Sequence, residues 1–189
     1  MNKKNIGFAM CGSFCTFSKA LNTVRQLSDK YNITPIFSDY AYRTDTRFHK
    51  INEFVKEVET VCAKESIRTI AQAEPIGPQK MFDALIVAPC TGNTLAKIAH
   101  GITDTTVTMA VKSHIRNNRP VLIGISTNDA LGASAENIGR LLNRRNFYFI
   151  PFSQDDPQKK PKSMICNFDL TEKALLDSLD GNQIQPIIA

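Results

Sequence analysis

The segment ALIVAPCTGNTLAKIAHG, residues 84–101, constrains the fold more than any other. Ala84-Leu85-Ile86-Val87 is a short apolar run with no polar break, as a strand buried on both faces requires. Thr91-Gly92-Asn93-Thr94 then turns the chain into a stretch with helical periodicity that pauses at Gly101. A buried strand that enters a helix through such a turn gathers free backbone N–H groups, short hydroxyls and the positive end of a helix at one point. That is an anion site at the carboxyl edge of an α/β sheet, and it suggests a phosphate-bearing ligand, a cofactor above all.

The same alternation runs through the chain. Apolar runs at 6–10, 33–38, 120–125 and 147–151 predict further strands, with Pro35 suited to a strand start or an edge. Residues 67–70 are a candidate short strand. Helical spacing covers 14–31, 51–64, 93–101, 104–118, 134–143 and 171–179, with Asp104 as a candidate cap and Gly181 as a C-cap. Residues 39–50 read as a functional loop and 153–165 as a polar, Pro- and Lys-rich loop. The predicted fold class is α/β: a three-layer, Rossmann-like parallel sheet with helices on both faces, over a single domain spanning residues 1–189.

Composition narrows the function. A net charge of +5, with local basic density only at 140–145 and 159–162, lacks the basic stripe of a nucleic-acid binder. No run of about 18 apolar residues predicts a membrane span, and the basic N-terminus leads into a first strand rather than a signal peptide. Five cysteines without a C-x-x-C pair read as reduced thiols of a cytoplasmic protein. The three histidines are scattered, so no metal site is expected.

Candidate ligand contacts lie where the strands end. Gly12-Ser13 follows the first strand, and glycine there permits close backbone approach. It is not a G-x-G-x-x-G fingerprint, which disfavours an ordinary dinucleotide site. Ser38 ends the second strand; Thr91, Asn93 and Thr94 follow the next long one; Ser126, Thr127 and Asn128 follow the one after. Any one of these side chains alone is more often a helix cap than a ligand contact; their agreement at strand ends points to a shared pocket. Arg47 offers the planar fork that suits a carboxylate. Lys160 and Lys162 are further cations, equally readable as solvated surface. His49 is the candidate for proton transfer. Cys90 lies in the phosphate turn without an evident base, and packing is its simpler role.

Pro89-x-x-x-Asn93-Thr94, Lys97 and Gly101-Ile102-x-Asp104, joined by Gly12-Ser13 and Ser38, resemble the signature of the homo-oligomeric flavin-containing Cys decarboxylases. That resemblance implies a flavodoxin-like flavoprotein sheet, FMN held by the strand-end residues, and assembly into a homo-oligomer. Residues 73–78, Asp45-Thr46-Arg47-Phe48, 90–94 and the segment Gln154-Asp155-Asp156-Pro157-x-x-Lys160-Pro161-x-Ser163-Met164 are more narrowly similar to the family of dipicolinate synthase B subunits. Ser153 departs from the glycine expected there. This resemblance implies a small dicarboxylate substrate, an A-subunit partner holding NAD(P), and a place in the mother cell of a sporulating bacterium. Two other readings stand beside it: an FMN-dependent decarboxylase of the phosphopantothenoylcysteine type, which the absent Pro-Ala-Met-Asn segment disfavours, and a non-catalytic assembly subunit that retains the pocket.

Overall fold

The computed structural model describes residues 3–188. β1 (Asn5–Met10) leads through a 3-10 turn at Phe14–Thr16 into α1 (Phe17–Ser28), and β2 (Asn32–Phe37) follows. Then come α2 (Asp39–Arg43), α3 (Ile51–Cys62), α4 (Ile70–Ala73), β3 (Ala84–Cys90), α5 (Gly92–His100), α6 (Thr106–Ile115) and β4 (Val121–Thr127). The chain closes with α7 (Ala135–Leu142), β5 (Phe147–Phe149), β6 (Phe152–Gln154), β7 (Met164–Cys166) and α8 (Thr171–Leu179).

The parallel strands lie in the order β2-β1-β3-β4, with β5 beside the first half of β4. This is the flavodoxin-like order, whose direction reverses between β1 and β3. The strands are buried along almost their whole length, because helices cover both faces. The core runs continuously from Ile6 to Ile184, with Phe8, Phe17, Phe37 and Phe149 wholly buried. Burying each such aromatic contributes about 1.5–3 kcal/mol, before the ordering cost is set against it.

Pro35 sits in β2, an edge strand. The edge is partly closed by residue 67, whose N–H donates to the Pro35 carbonyl and whose carbonyl accepts from Phe37. That single bridge replaces the short strand expected at 67–70, because the Thr69 hydroxyl and Gln72 form a capping box that starts α4 instead. Likewise Asp104 does not cap α6. Thr105 does so, with Thr108, while Asp104 pairs with Lys97 at 2.8 Å. Gly181, at φ +81°, terminates α8 as expected, with the Asn182 N–H returning to the Asp177 carbonyl.

The sheet is mixed rather than wholly parallel. Within the expected 153–165 loop, β6 and β7 form an antiparallel hairpin. β7 also pairs antiparallel with the end of β4, Ile165 opposite Ser126 and Met164 opposite Thr127. β4 outruns its neighbour β5, and its unpaired end takes β7 as a partner. The hairpin thereby stands as a wall beside the carboxyl edge of β1, β3 and β4.

Candidate functional site

At the end of β1 the chain turns through Cys11-Gly12-Ser13. A β-carbon on Gly12 would lie 2.6 Å from Cδ1 of the Tyr40 ring, so glycine lets the backbone run against that ring. The Ser13 carbonyl accepts from both the N–H and the hydroxyl of Thr16, which winds the 3-10 turn. The Ser13 hydroxyl lies 2.7 Å from that of Ser126. One proton bridges the two oxygens, which leaves the other hydroxyl proton free to donate elsewhere.

At the end of β3, the Thr91 hydroxyl caps α5 by accepting from the Thr94 N–H. The N–H groups of Gly92 and Asn93 have no carbonyl to meet within their own helix, so its first turn keeps donors for an anion. A β-carbon on Gly92 would fall 2.7–2.8 Å from Ser134 Oγ, Asp129 Oδ1 and Thr127 Oγ1. Glycine there admits the loop after β4, which is closed by Thr127 and Ser134 donating to Asp129 at 2.6 and 2.9 Å.

These strand ends enclose a cavity of about 500 Å³, within the range of small-molecule and cofactor sites. Gly12, Ser13, Thr91, Ser126, Thr127 and Asn128 form its polar side. Phe14, Phe48, Met164 and Ile165 supply apolar surface. Arg47, Asp155 and Lys160 bring charge to the lining. The Arg47 guanidinium lies 4.8 Å from the centre of the Phe48 ring. Lys160 Nζ lies 3.1 Å from Asp155 Oδ2. Burial pulls the Asp155 carboxyl upward, but hydrogen bonds from Ser163 and Lys160 outweigh it and hold the group below the usual carboxylate range. Asp155 in turn raises Lys160, first through its hydrogen bond and then through its charge.

Of the residues singled out from sequence, Gly12, Ser13, Arg47, Thr91, Ser126, Thr127, Asn128 and Lys160 line this cavity together, and Lys162 does not. Ser38, Asn93, Thr94 and His49 are not in its lining. Ser38 is buried and its hydroxyl accepts from the Ala41 N–H, starting the α2 helix where a loop was expected. The Thr94 hydroxyl accepts from Thr91 at 3.2 Å. Asn93 is exposed, in the first turn of α5. The His49 ring packs against Phe17 and Phe54, which stack on each other at 4.7 Å, with its centre 6.1 and 5.0 Å from theirs, and its Nε2 lies 3.4 Å from Ser18 Oγ. Cys90 is buried, and burial pushes its thiol well above the ordinary range, so it is no nucleophile. Asp155, Ser163 and Phe48 also line it. The sequence signal for the first two was the Gln154–Met164 segment itself, which carries a carboxylate, a lysine and a serine within ten residues.

A family model described as Flavoprotein matches residues 1–179. The chain belongs to the Flavoprotein family. Within that family it is 43% identical, over 98% of its own length and 93% of the other's, to the dipicolinate synthase B subunit of Bacillus subtilis (strain 168). Its fold superposes on the crystal structure of the dipicolinate synthase B subunit from Bacillus halodurans C with a TM-score of 0.91, at 37% identity, covering 100% of this chain and 98% of that one. A more distant flavoprotein, AnUbiX (PadA1) solved with FMN and dimethylallyl pyrophosphate, shares the fold at a TM-score of 0.65 and 16% identity, with 95% and 93% of the two chains covered.

Proposed function

We propose that this chain is the B subunit of a dipicolinate synthase and that its cavity holds FMN. The single observation that carries the reading is 43% identity along 98% of the chain to a B subunit of that enzyme. The cavity supports it from the chemistry of its lining. Gly12, the paired Ser13 and Ser126 hydroxyls and Thr91 at the start of α5 suit a phosphate. The apolar surface of Phe14, Phe48 and Met164 suits a flat ring. FMN, when bound, supplies a two-electron acceptor.

Converting a dihydropyridine dicarboxylate to the pyridine removes a hydride and a proton. The hydride ends on NAD(P) held by the A subunit, on which the oxidoreductase activity depends. Arg47 binds a substrate carboxylate through its planar fork. The hairpin wall of β6 and β7 limits the approach of water to that side of the cavity. The chain assembles as a homo-oligomer, and it works in the cytoplasm of the mother cell.

The position of His49 favours a second reading. The imidazole packs against Phe17 and Phe54 outside the cavity lining, and burial raises the Cys11 and Cys90 thiols, so none of the three offers a base to the cavity. In this reading the chain binds ligand and partner while the A subunit performs the redox step. Reconstitution with and without the A subunit, given dihydrodipicolinate and NADP, separates the two. Dipicolinate formation that requires this chain, with stoichiometric flavin absorbance, supports the first reading. Full-rate formation by the A subunit alone overturns both. Turnover of phosphopantothenoylcysteine would point to the decarboxylase chemistry instead.

A further inference from the structure

The three charged side chains of the cavity come from two segments. Arg47 lies between α2 and α3, while Asp155 and Lys160 lie on the connection between β6 and β7. That connection is braced. Gln154 Nε2 donates to the Pro161 carbonyl at 2.7 Å, the Ser163 N–H to the Lys160 carbonyl at 3.0 Å, and the Leu131 N–H to the Lys162 carbonyl at 3.0 Å. The Ser163 hydroxyl also reaches Asn128 Oδ1 at 3.4 Å. Lys160 therefore projects from a tied turn, with its ammonium held by Asp155. Arg47 is differently placed. Asp45, the carboxylate nearest it in sequence, is engaged elsewhere, with Lys50 at 3.1 Å. Its guanidinium faces the Phe48 ring and the cavity.

We infer that Arg47 and Lys160 form a two-point clamp for a rigid dicarboxylate, in which the second carboxylate takes over Lys160 from Asp155. The inference rests on the reading of this cavity as the substrate site and names what gives that site its selectivity. A monocarboxylate satisfies Arg47 and leaves the Lys160–Asp155 pair as it stands. A second carboxylate at the right separation exchanges one partner of Lys160 for another, so the ammonium is never left bare. Asp155 then acts as a like charge beside the incoming anion, restraining the grip on product.

Titration calorimetry of the chain with FMN present tests this, using pyridine-2,6-dicarboxylate and pyridine-2-carboxylate as probes. The native chain is expected to prefer the dicarboxylate by about tenfold or more, the equivalent of about 1.4 kcal/mol. Lys160→Met should bring that preference to within about twofold while leaving the monocarboxylate unchanged. Arg47→Met should weaken both probes. Asp155→Asn keeps an acceptor for Lys160 but removes the negative charge, and should tighten the dicarboxylate several-fold. An unaltered preference in Lys160→Met, or no binding of either probe to the native chain, overturns the clamp. FMN titration of each variant reports separately on whether the cavity is intact. Synthase activity without the clamp's selectivity sinks this inference alone; the selectivity without synthase activity sinks the proposed function alone.

Discussion

The Ser13 and Ser126 hydroxyls lie 2.7 Å apart although 113 residues separate them in the chain. They join the turn after β1 to the end of β4 across the reversal point of the sheet. Each oxygen can accept once more, and one proton remains to be donated. Ser126→Ala should therefore lower FMN affinity about fivefold, by roughly 1 kcal/mol. The double variant with Ser13→Ala should lose less than the sum of the single changes, because the two groups act as one unit. Flavin fluorescence titration measures all three, and strict additivity would count against a shared site.

Gly92 carries a constraint of a different kind. Three polar atoms of the 127–134 loop crowd the place a methyl would occupy. Gly92→Ala should cost about 1–3 kcal/mol of stability by displacing that loop, with a parallel drop in FMN affinity. Urea denaturation beside a flavin titration checks both. Full stability in the variant would show that the loop yields freely.

The His49 ring packs against the stacked pair of Phe17 and Phe54, which points to a packing role. His49→Ala should lower stability by about 1–2 kcal/mol and leave kcat of the reconstituted synthase within about twofold, since the imidazole lies outside the cavity lining. A fall in kcat with an altered pH profile would return the imidazole to the chemistry.

His114 predicts the acid stability of the fold. Its Nε2 lies 3.1 Å from the Pro120 carbonyl, while its buried Nδ1 has no partner among the described residues. Burial brings its pKa down from 6.5 to about 4, with Arg119 adding to the fall and the Pro120 bond and Asp83 opposing it. Between those values the unfolded chain binds a proton that the folded chain refuses. The contribution of this group is full above about pH 6.5 and is lost progressively as pH falls towards 4, at up to about 1.4 kcal/mol per pH unit. His114→Gln keeps an N–H donor and cannot titrate, so it should flatten that part of the stability curve. An unchanged slope would assign the effect to other groups.

How much of this could be read from sequence follows from what each element depends on. The buried strands were legible because a strand covered on both faces must be apolar throughout, as Leu85-Ile86-Val87 and Leu122-Ile123 are. β6 and β7 were hidden because three-residue strands in a polar segment owe their existence to the overhanging end of β4. α2 was hidden because five residues hold as a helix through the Ser38 cap and burial of Ala41. At the site, the turns were legible as a set, since Gly12 and Thr91 follow, and Ser126 lies at the end of, strands that point the same way. The division of labour within them was not. Whether a hydroxyl such as that of Ser38 or Thr94 meets a ligand or a neighbouring backbone group depends on three-dimensional distances that spacing does not encode.

Four of the five thiols, those of Cys11, Cys62, Cys90 and Cys166, are buried, and Cys15 is exposed at the mouth of the cavity. Burial pushes Cys11 and Cys62 up to about 11 and Cys166 to about 12, which suppresses their thiolate forms and hence their alkylation. The native protein thus carries one built-in attachment point for a maleimide dye, at the mouth of the proposed binding site. Saturating FMN should slow the modification of Cys15 several-fold while leaving the other four unmodified, a readout by intact mass that needs neither partner nor turnover. Equal rates with and without flavin would mean that the ligand sits somewhere else.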